Sequence, residues 1–257
     1  MNLGLNGKRV LIGGASRGIG LAIATAFLHE GARVALMART AASLNASARQ
    51  LAAEHGAERV LAVAGDCADA AAWPGVMTRL NAAWGGLDIA VANAGSGRGR
   101  AEALPDGAHF AAGWRENFMT AEETARAALP LLEVSGGCLL FISSIAGLEA
   151  IGAPTEYSVA KSAVVALAKQ LARKLAPRVR VNCIAPGNIL FDGGSWAEKI
   201  AADAARIERL IQTTVPLQRF GNPAEIADAA LFLCSERAAF ITGACLVADG
   251  GQTVSLH

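Results

Sequence analysis

The 257-residue chain is expected to fold as an α/β domain, a doubly wound parallel sheet of about seven strands with helices on both faces. Three observations predict it. Short apolar runs rich in Val, Ile, Leu and Ala alternate with Ala-rich segments of helical periodicity along the whole chain. The first run passes through a glycine cluster straight into a helical pattern. The runs end in small or polar residues, as parallel strands do where their carboxyl ends form a ligand-binding rim.

Residues 8–12 form the first β-type run. Gly13-Gly14-Ala15-Ser16-Arg17-Gly18-Ile19-Gly20 follows, and residues 21–30 are helical up to Gly31. Glycines let such a turn bend sharply and bring backbone close to a pyrophosphate, whose charge meets free N–H groups at a helix N-terminus. Ordinary β–α turns also use glycine, so it is the strand before and the helix after that mark a Rossmann-type dinucleotide site. Gly14, Ser16, Arg17, Gly18, Ile19 and Gly20 are its candidate contacts. The second strand, 33–37, ends in Met37-Ala38-Arg39-Thr40, with no carboxylate to grip ribose hydroxyls. Arg39 stands there instead, and with Arg17 it suits a 2′-phosphate. NADP(H) is therefore expected over NAD(H), against the plainer reading of two solvated surface arginines.

A helix over 41–55 and a strand over 59–64 lead to Gly65-Asp66-Cys67. Asp66, with Cys67 beside it, is expected to accept from an adenine amino group or to cap the segment starting near Asp69. Helix 70–84 and strand 87–92 reach Asn93-Ala94-Gly95, a small-residue turn that can pass close under a ligand. The loop at 96–107 carries Arg98 and Arg100, which could meet an anionic substrate but read more simply as solvated. A helical pattern covers 108–133, with Asn117 midway, where an exposed amide is the simpler reading than a buried relay. After strand 137–142 come Ser143 and Ser144, then helix 156–175, strand 178–184 and the break Pro186-Gly187-Asn188-Ile189. Residues 187–215, with Phe191, Trp196 and a helix over 198–212, could cover a substrate or be an ordinary surface segment. Helix 223–235 and strand 244–248 complete the alternation. No linker or repeat divides residues 1–257, so a single dinucleotide-binding and catalytic domain is expected.

The chemistry is expected between Ser144 and Lys161. Tyr157 is the only tyrosine in the chain, and Lys161 follows at i+4, on the same face of a helix opened near Pro154. With five lysines in 257 residues, a lysine at that spacing arises by chance about 2 % of the time, and such pairs are usually surface neighbours. An ammonium about 4 Å from a phenol lowers its pKa from about 10 towards the range of a general acid or base. Ser144, at a strand end thirteen residues upstream, places a hydroxyl where a substrate oxygen could sit.

Composition excludes other classes. There are 23 basic and 22 acidic residues without runs of either sign, which argues against nucleic-acid and membrane surfaces. Five widely spaced cysteines, with no CxxC pair, read as reduced core residues of a cytoplasmic protein. The four histidines lie far apart, and no metal site is expected. The N-terminus lacks a signal-peptide pattern, and no apolar run approaches a membrane span of about 20 residues.

Taken together, Gly14-x3-Gly18-Ile19-Gly20, Asn93-Ala94-Gly95, Asn117, Ser144, Tyr157-x3-Lys161, Pro186-Gly187, the 219–226 segment RFGNPAEI, Ile241-Thr242-Gly243 and Asp249-Gly250-Gly251 resemble the compact branch of the short-chain dehydrogenases/reductases, including 3-oxoacyl-carrier-protein reductase-like members. The resemblance spans nearly the whole chain. It implies a tetrad in which Ser144 orients a carbonyl, Tyr157 exchanges the proton, Lys161 lowers the phenol pKa and holds ribose hydroxyls, and Asn117 positions a water. It further implies that Asn93, Ala94, Gly95, Pro186, Gly187 and Ile189 line the cofactor, and that the protein is a homotetramer pairing helices 108–133 and 156–175. Three departures stand out: Gly13 for the usual Thr, Ala92 for the first Asn of Asn-Asn-Ala-Gly, and no Thr after Pro186-Gly187. The expected activity is NADP(H)-dependent interconversion of a ketone and a secondary alcohol. A non-catalytic dinucleotide sensor on the same fold is the alternative, and an epimerase or dehydratase is disfavoured by the short chain.

Overall fold

A computed structural model describes residues 2–100 and 102–255. Ala101, inside the loop expected at 96–107, lies outside the described residues. The described residues contain a seven-stranded sheet in the order β3-β2-β1-β4-β5-β6-β7. Its strands are β1 (Arg9–Gly13), β2 (Arg33–Ala38), β3 (Val60–Ala64), β4 (Ile89–Ala92), β5 (Cys138–Ile142), β6 (Arg180–Pro186) and β7 (Cys245–Ala248), and every pairing is parallel. β4 and β5 are buried along their full length, which is why they read as unbroken apolar runs.

The connecting helices are α1 (Gly18–His29), α2 (Ala41–His55), α3 (Trp73–Trp84), α4 (Gly107–Trp114), α5 (Thr120–Ser135), α6 (Thr155–Leu175), α7 (Ser195–Ala202), α8 (Ala204–Thr214) and α9 (Pro223–Cys234). Alternate strand residues face opposite ways and build two cores. Val10, Ile12, Val34 and Leu36 meet Ile23 and Phe27 of α1 and Ile226 of α9. Leu11, Ala35 and Met37 share the other core with Trp73 and Leu80 of α3, Ala125 of α5 and Val164 of α6. Burying a side chain such as Phe27 or Phe141, both without solvent exposure, contributes about 2–3 kcal/mol each.

Three expected elements differ. The helix at 70–84 begins only at Trp73, because the Asp66 and Asp69 carboxylates accept from the N–H groups of Ala68 and Ala71 and hold the preceding chain in turns. The helix at 108–133 is α4 and α5 joined by a wider π-helical turn, Arg115–Met119. The helix at 198–212 is α7 and α8, broken at Asp203, whose side chain accepts from Arg206 N–H and starts the second helix.

β1 sends its crossover to β2 on one side, while β4 lies on its other side. The carboxyl ends of β1 and β4 therefore diverge, leaving the crevice where doubly wound sheets place their ligands.

Candidate active site

A cavity of about 580 Å³ follows that crevice, a volume suited to a ligand of dinucleotide size. It runs from Arg39, Thr40 and Ser43 after β2, across the glycine turn, to Ser144, Tyr157 and Lys161. Every candidate contact predicted above lines it except Gly18 and Asn117.

The glycine turn is fixed by close backbone approach. Gly14 has φ +70°, and a β-carbon there would lie 2.8 Å from the Ala94 Cα. A β-carbon on Gly20 would lie 2.4 Å from the Gly14 carbonyl oxygen. The Asn93 side chain donates from Nδ2 to the carbonyls of Gly13 (3.0 Å) and Gly14 (3.2 Å), so a side-chain bond secures this turn although Gly13 replaces the usual Thr. Cys67 occupies the neighbouring space, with Sγ 3.2 Å from where a Gly13 β-carbon would be. No side chain caps α1, so its first-turn N–H groups have no side-chain acceptor. These features make a tight glycine cradle at an uncapped helix N-terminus, a geometry suited to an anion such as a pyrophosphate.

At the far end, Ser144 precedes a short 3₁₀ turn and Tyr157 lies in the first turn of α6. The Ser144 hydroxyl accepts from Ala146 N–H (3.2 Å) and lies near enough to the phenol to lower its pKa. Lys161, 4 % exposed, donates to the Ile142 carbonyl (3.0 Å), and its Nζ sits 5.8 Å from the centre of the Tyr157 ring. Burial pulls the ammonium down to about 8. The phenol departs from expectation: burial raises its pKa above the ordinary value, and the nearby Ser144 hydroxyl only partly offsets this. Lys161 is not among the groups that shift the phenol, so the coupling that the i+4 spacing suggested does not set its pKa.

Asn117 is also not the exposed amide that its sequence context favours. It is 1 % exposed, in the π-helical turn. Oδ1 accepts from Ser96 N–H (2.9 Å), and Nδ2 donates to the Gly113 carbonyl (3.1 Å). The wider turn rotates Asn117 inward, a common use of π-bulges. A β-carbon on Gly95 would fall 2.8 Å from Asn117 Oδ1 and 3.1 Å from Lys161 Nζ. Only a glycine fits between the amide and the ammonium, which places Asn117 behind the cavity wall, one residue's width from Lys161.

Charged groups crowd the β2–β3 end. Arg39 faces Glu116 (Nη1–Oε1 3.6 Å), and Arg115 faces Asp66 (2.9 Å). The Asp66 carboxylate thus holds Arg115 as well as Ala68 N–H, and stays below the ordinary carboxylate range although burial opposes this. Arg115 and Glu116 escape notice in the sequence. Their only signal is adjacency to Asn117, and nothing in the spacing shows that the π-turn aims them across the cavity.

A strap closes the mouth. The Phe191 ring covers Gly18, with ring carbons 2.7–2.9 Å from where a β-carbon would lie, which is why Gly18 is hidden from the cavity. The Gly193 carbonyl accepts from Arg17 (2.9 Å) and Arg98 (3.2 Å), and Arg98 also pairs with Glu198. Arg98 is thereby tied to α7 and is not the free loop cation that its sequence suggested. Trp196 of α7 lines the cavity and packs tilted against Phe220, ring centres 5.4 Å apart.

The enoyl-(acyl carrier protein) reductase family model matches residues 14–253. D-threitol dehydrogenase of Mycolicibacterium smegmatis is 37 % identical over 255 residues, covering 97 % of this chain and 94 % of its own. The L-sorbose reductase of Gluconobacter frateurii, solved with NADPH and L-sorbose, superposes with a TM-score of 0.92 at 34 % identity over 100 % of both chains. A 7α-hydroxysteroid dehydrogenase solved with NADH and 7-oxo glycochenodeoxycholic acid gives 0.89 at 32 % identity over 100 % of this chain and 98 % of its own. The fold, the cradle and the likenesses agree, and the chain belongs to the short-chain dehydrogenase/reductase family.

Proposed function

We propose that the protein is an NADP(H)-dependent oxidoreductase interconverting a ketone and a secondary alcohol, with Asn117, Ser144, Tyr157 and Lys161 as its catalytic set. The observation that carries this is the meeting of Ser144, Tyr157 and Lys161 at one end of a cavity that runs on across the glycine turn to Arg39. A bound nicotinamide supplies the hydride; the chain supplies position, a proton and electrostatics. Ser144 orients the carbonyl oxygen. Tyr157, its pKa raised, is protonated at neutral pH and ready to donate to the developing alkoxide. Lys161 adds positive charge close by, and Asn117 holds the wall against Ser96.

Relatives of similar shape hold NADPH in one case and NADH in another, so cofactor choice rests on this chain's own residues. Arg39 and Arg17 line the cavity, and no acid ends β2. Asp66, Asn93, Gly95, Pro186, Gly187 and Ile189 complete the cofactor lining, and residues 187–215 act as the substrate cover of a single domain spanning residues 1–257. An apolar hollow beside α4, walled by Leu104, Pro105, Phe110, Trp114 and Met119, suits contact with a second copy of the chain, as the proposed homotetramer requires. Five free thiols fit a cytoplasmic location, and no helix among the described residues is long and apolar enough to cross a membrane.

Replacing Tyr157 by Phe tests the reading. Turnover with NADPH and a ketone should fall by roughly 10²- to 10⁴-fold while cofactor binding persists. Unchanged turnover would remove Tyr157 as the acid.

A further inference from the structure

Two charged pairs, Arg39 with Glu116 and Arg115 with Asp66, stand at the β2–β3 end of the cavity. Arg39 is 63 % exposed and Glu116 39 % exposed in their side chains, yet the two face one another across the cleft at 3.6 Å. Both line the cavity, as do Arg115 and Asp66 beside them. Glu116 is held in place by the π-helical turn, whose backbone carbonyl at this residue also accepts from the Thr120 hydroxyl (3.0 Å). Its side chain therefore leaves from a defined point on the wall.

We propose that Glu116 is a specificity-determining residue that holds the guanidinium of Arg39 and opposes the 2′-phosphate of NADP(H), limiting the chain's preference for that cofactor over NAD(H). This rests on the assignment of Arg39 to the 2′-phosphate made above. A phosphate monoester carries nearly two negative charges near neutral pH and binds an arginine through paired hydrogen bonds. It outcompetes a single exposed carboxylate, whose ion pair with Arg39 is weak. The displaced carboxylate still faces the dianion, because its backbone does not move. Glu116 thus acts twice, by occupying Arg39 and by repelling what Arg39 is there to bind. The unphosphorylated cofactor carries neither penalty. Selectivity set by an unfavourable contact is a common device where one ligand differs from another by a charged group.

The experiment compares dissociation constants of NADPH and NADH, measured by fluorescence titration of the full chain at low and high salt. Glu116→Gln keeps the shape of a half-exposed side chain and removes its charge. The ratio Kd(NADH)/Kd(NADPH) is expected to rise by roughly three- to tenfold, and the gain to shrink at about 0.5 M salt, where exposed charges are screened. Glu116→Ala should raise it in the same direction. A merely structural role would move both cofactors together and leave the ratio fixed. An unchanged or lowered ratio in both variants overturns the proposal. Arg39→Gln separates it from the reading beneath: if this variant leaves the ratio of the parent protein unchanged, the 2′-phosphate assignment itself fails; if it lowers the ratio while the Glu116 variants do nothing, only the role of Glu116 falls.

Discussion

At the scale of single residues, the pairing of Tyr157 with Lys161 yields a pH prediction of definite sign. The ammonium of Lys161 titrates at about 8, so its charge is present below that value and lost as pH rises through it. The phenol stays protonated across the same range, because its own pKa is raised. The kcat/KM for ketone reduction is therefore expected to decline as pH rises through about 8, by loss of the cation rather than of the proton donor. Lys161→Met should be slower throughout and lack that limb. A pH–rate profile at constant ionic strength checks this, and a wild-type profile still level beyond about pH 9 would contradict it. The identity of these residues is legible in the chain, but their titration is not. The phenol's rise comes from its burial in the folded chain, which no spacing in the sequence shows. Asn117 is similar, since a polar residue in a helical pattern reads as exposed until the register shift of the π-turn is known.

Single elements show where sequence patterns suffice. The segment 219–226 was legible as motif, and the structure gives its physical meaning as the start of α9. Asn222 accepts from Ala224 N–H (2.9 Å) and Glu225 N–H (3.2 Å), Glu225 returns an acceptor to Asn222 N–H (2.9 Å), and Pro223 opens the helix. Arg219 holds the Glu225 carboxylate from outside and lowers its pKa to about 2. Asn222→Ala should cost about 1 kcal/mol, read as a fall of about 2–4 °C in melting temperature, with turnover retained because α9 packs on α1 behind the cradle. A loss of activity without a shift in melting would contradict this. All seven strands were placed within a few residues because their apolar runs are continuous. The joints were harder to read. The break at Asp203 and the late start of α3 depend on single aspartates choosing backbone N–H partners, a choice that competes evenly with helix continuation in the local sequence.

For the whole molecule, two buried or half-buried groups on different parts of the fold set how stability responds to acid. His55, at the end of α2, has its ring edge-on to His29 with centres 4.7 Å apart, and its Nε2 is buried without a hydrogen-bond partner. Burial, with the neighbouring His29 and Arg59 charges, lowers its pKa from 6.5. The unfolded chain thus binds the proton more readily, and stability is lost as pH falls below about 6.5. Asp88 lies further down the scale. It accepts from Arg9 N–H and Nε (each 2.8 Å) and from Nη2 (2.7 Å), joining β1 to the start of β4, and its pKa is lowered by these bonds although burial opposes them. Its contribution is complete above the unfolded carboxylate value and disappears as pH falls through the folded one. Urea unfolding across the acid range should therefore show stability declining in two stages, first with the imidazole and then with the carboxylate. His55→Leu is expected to flatten the first stage and leave the second. Asp88→Asn should abolish the second and cost about 2 kcal/mol at neutral pH, since it strands a half-buried guanidinium beside the central strand. A single smooth decline in both variants, indistinguishable from that of the parent, would show that neither group governs the acid limit.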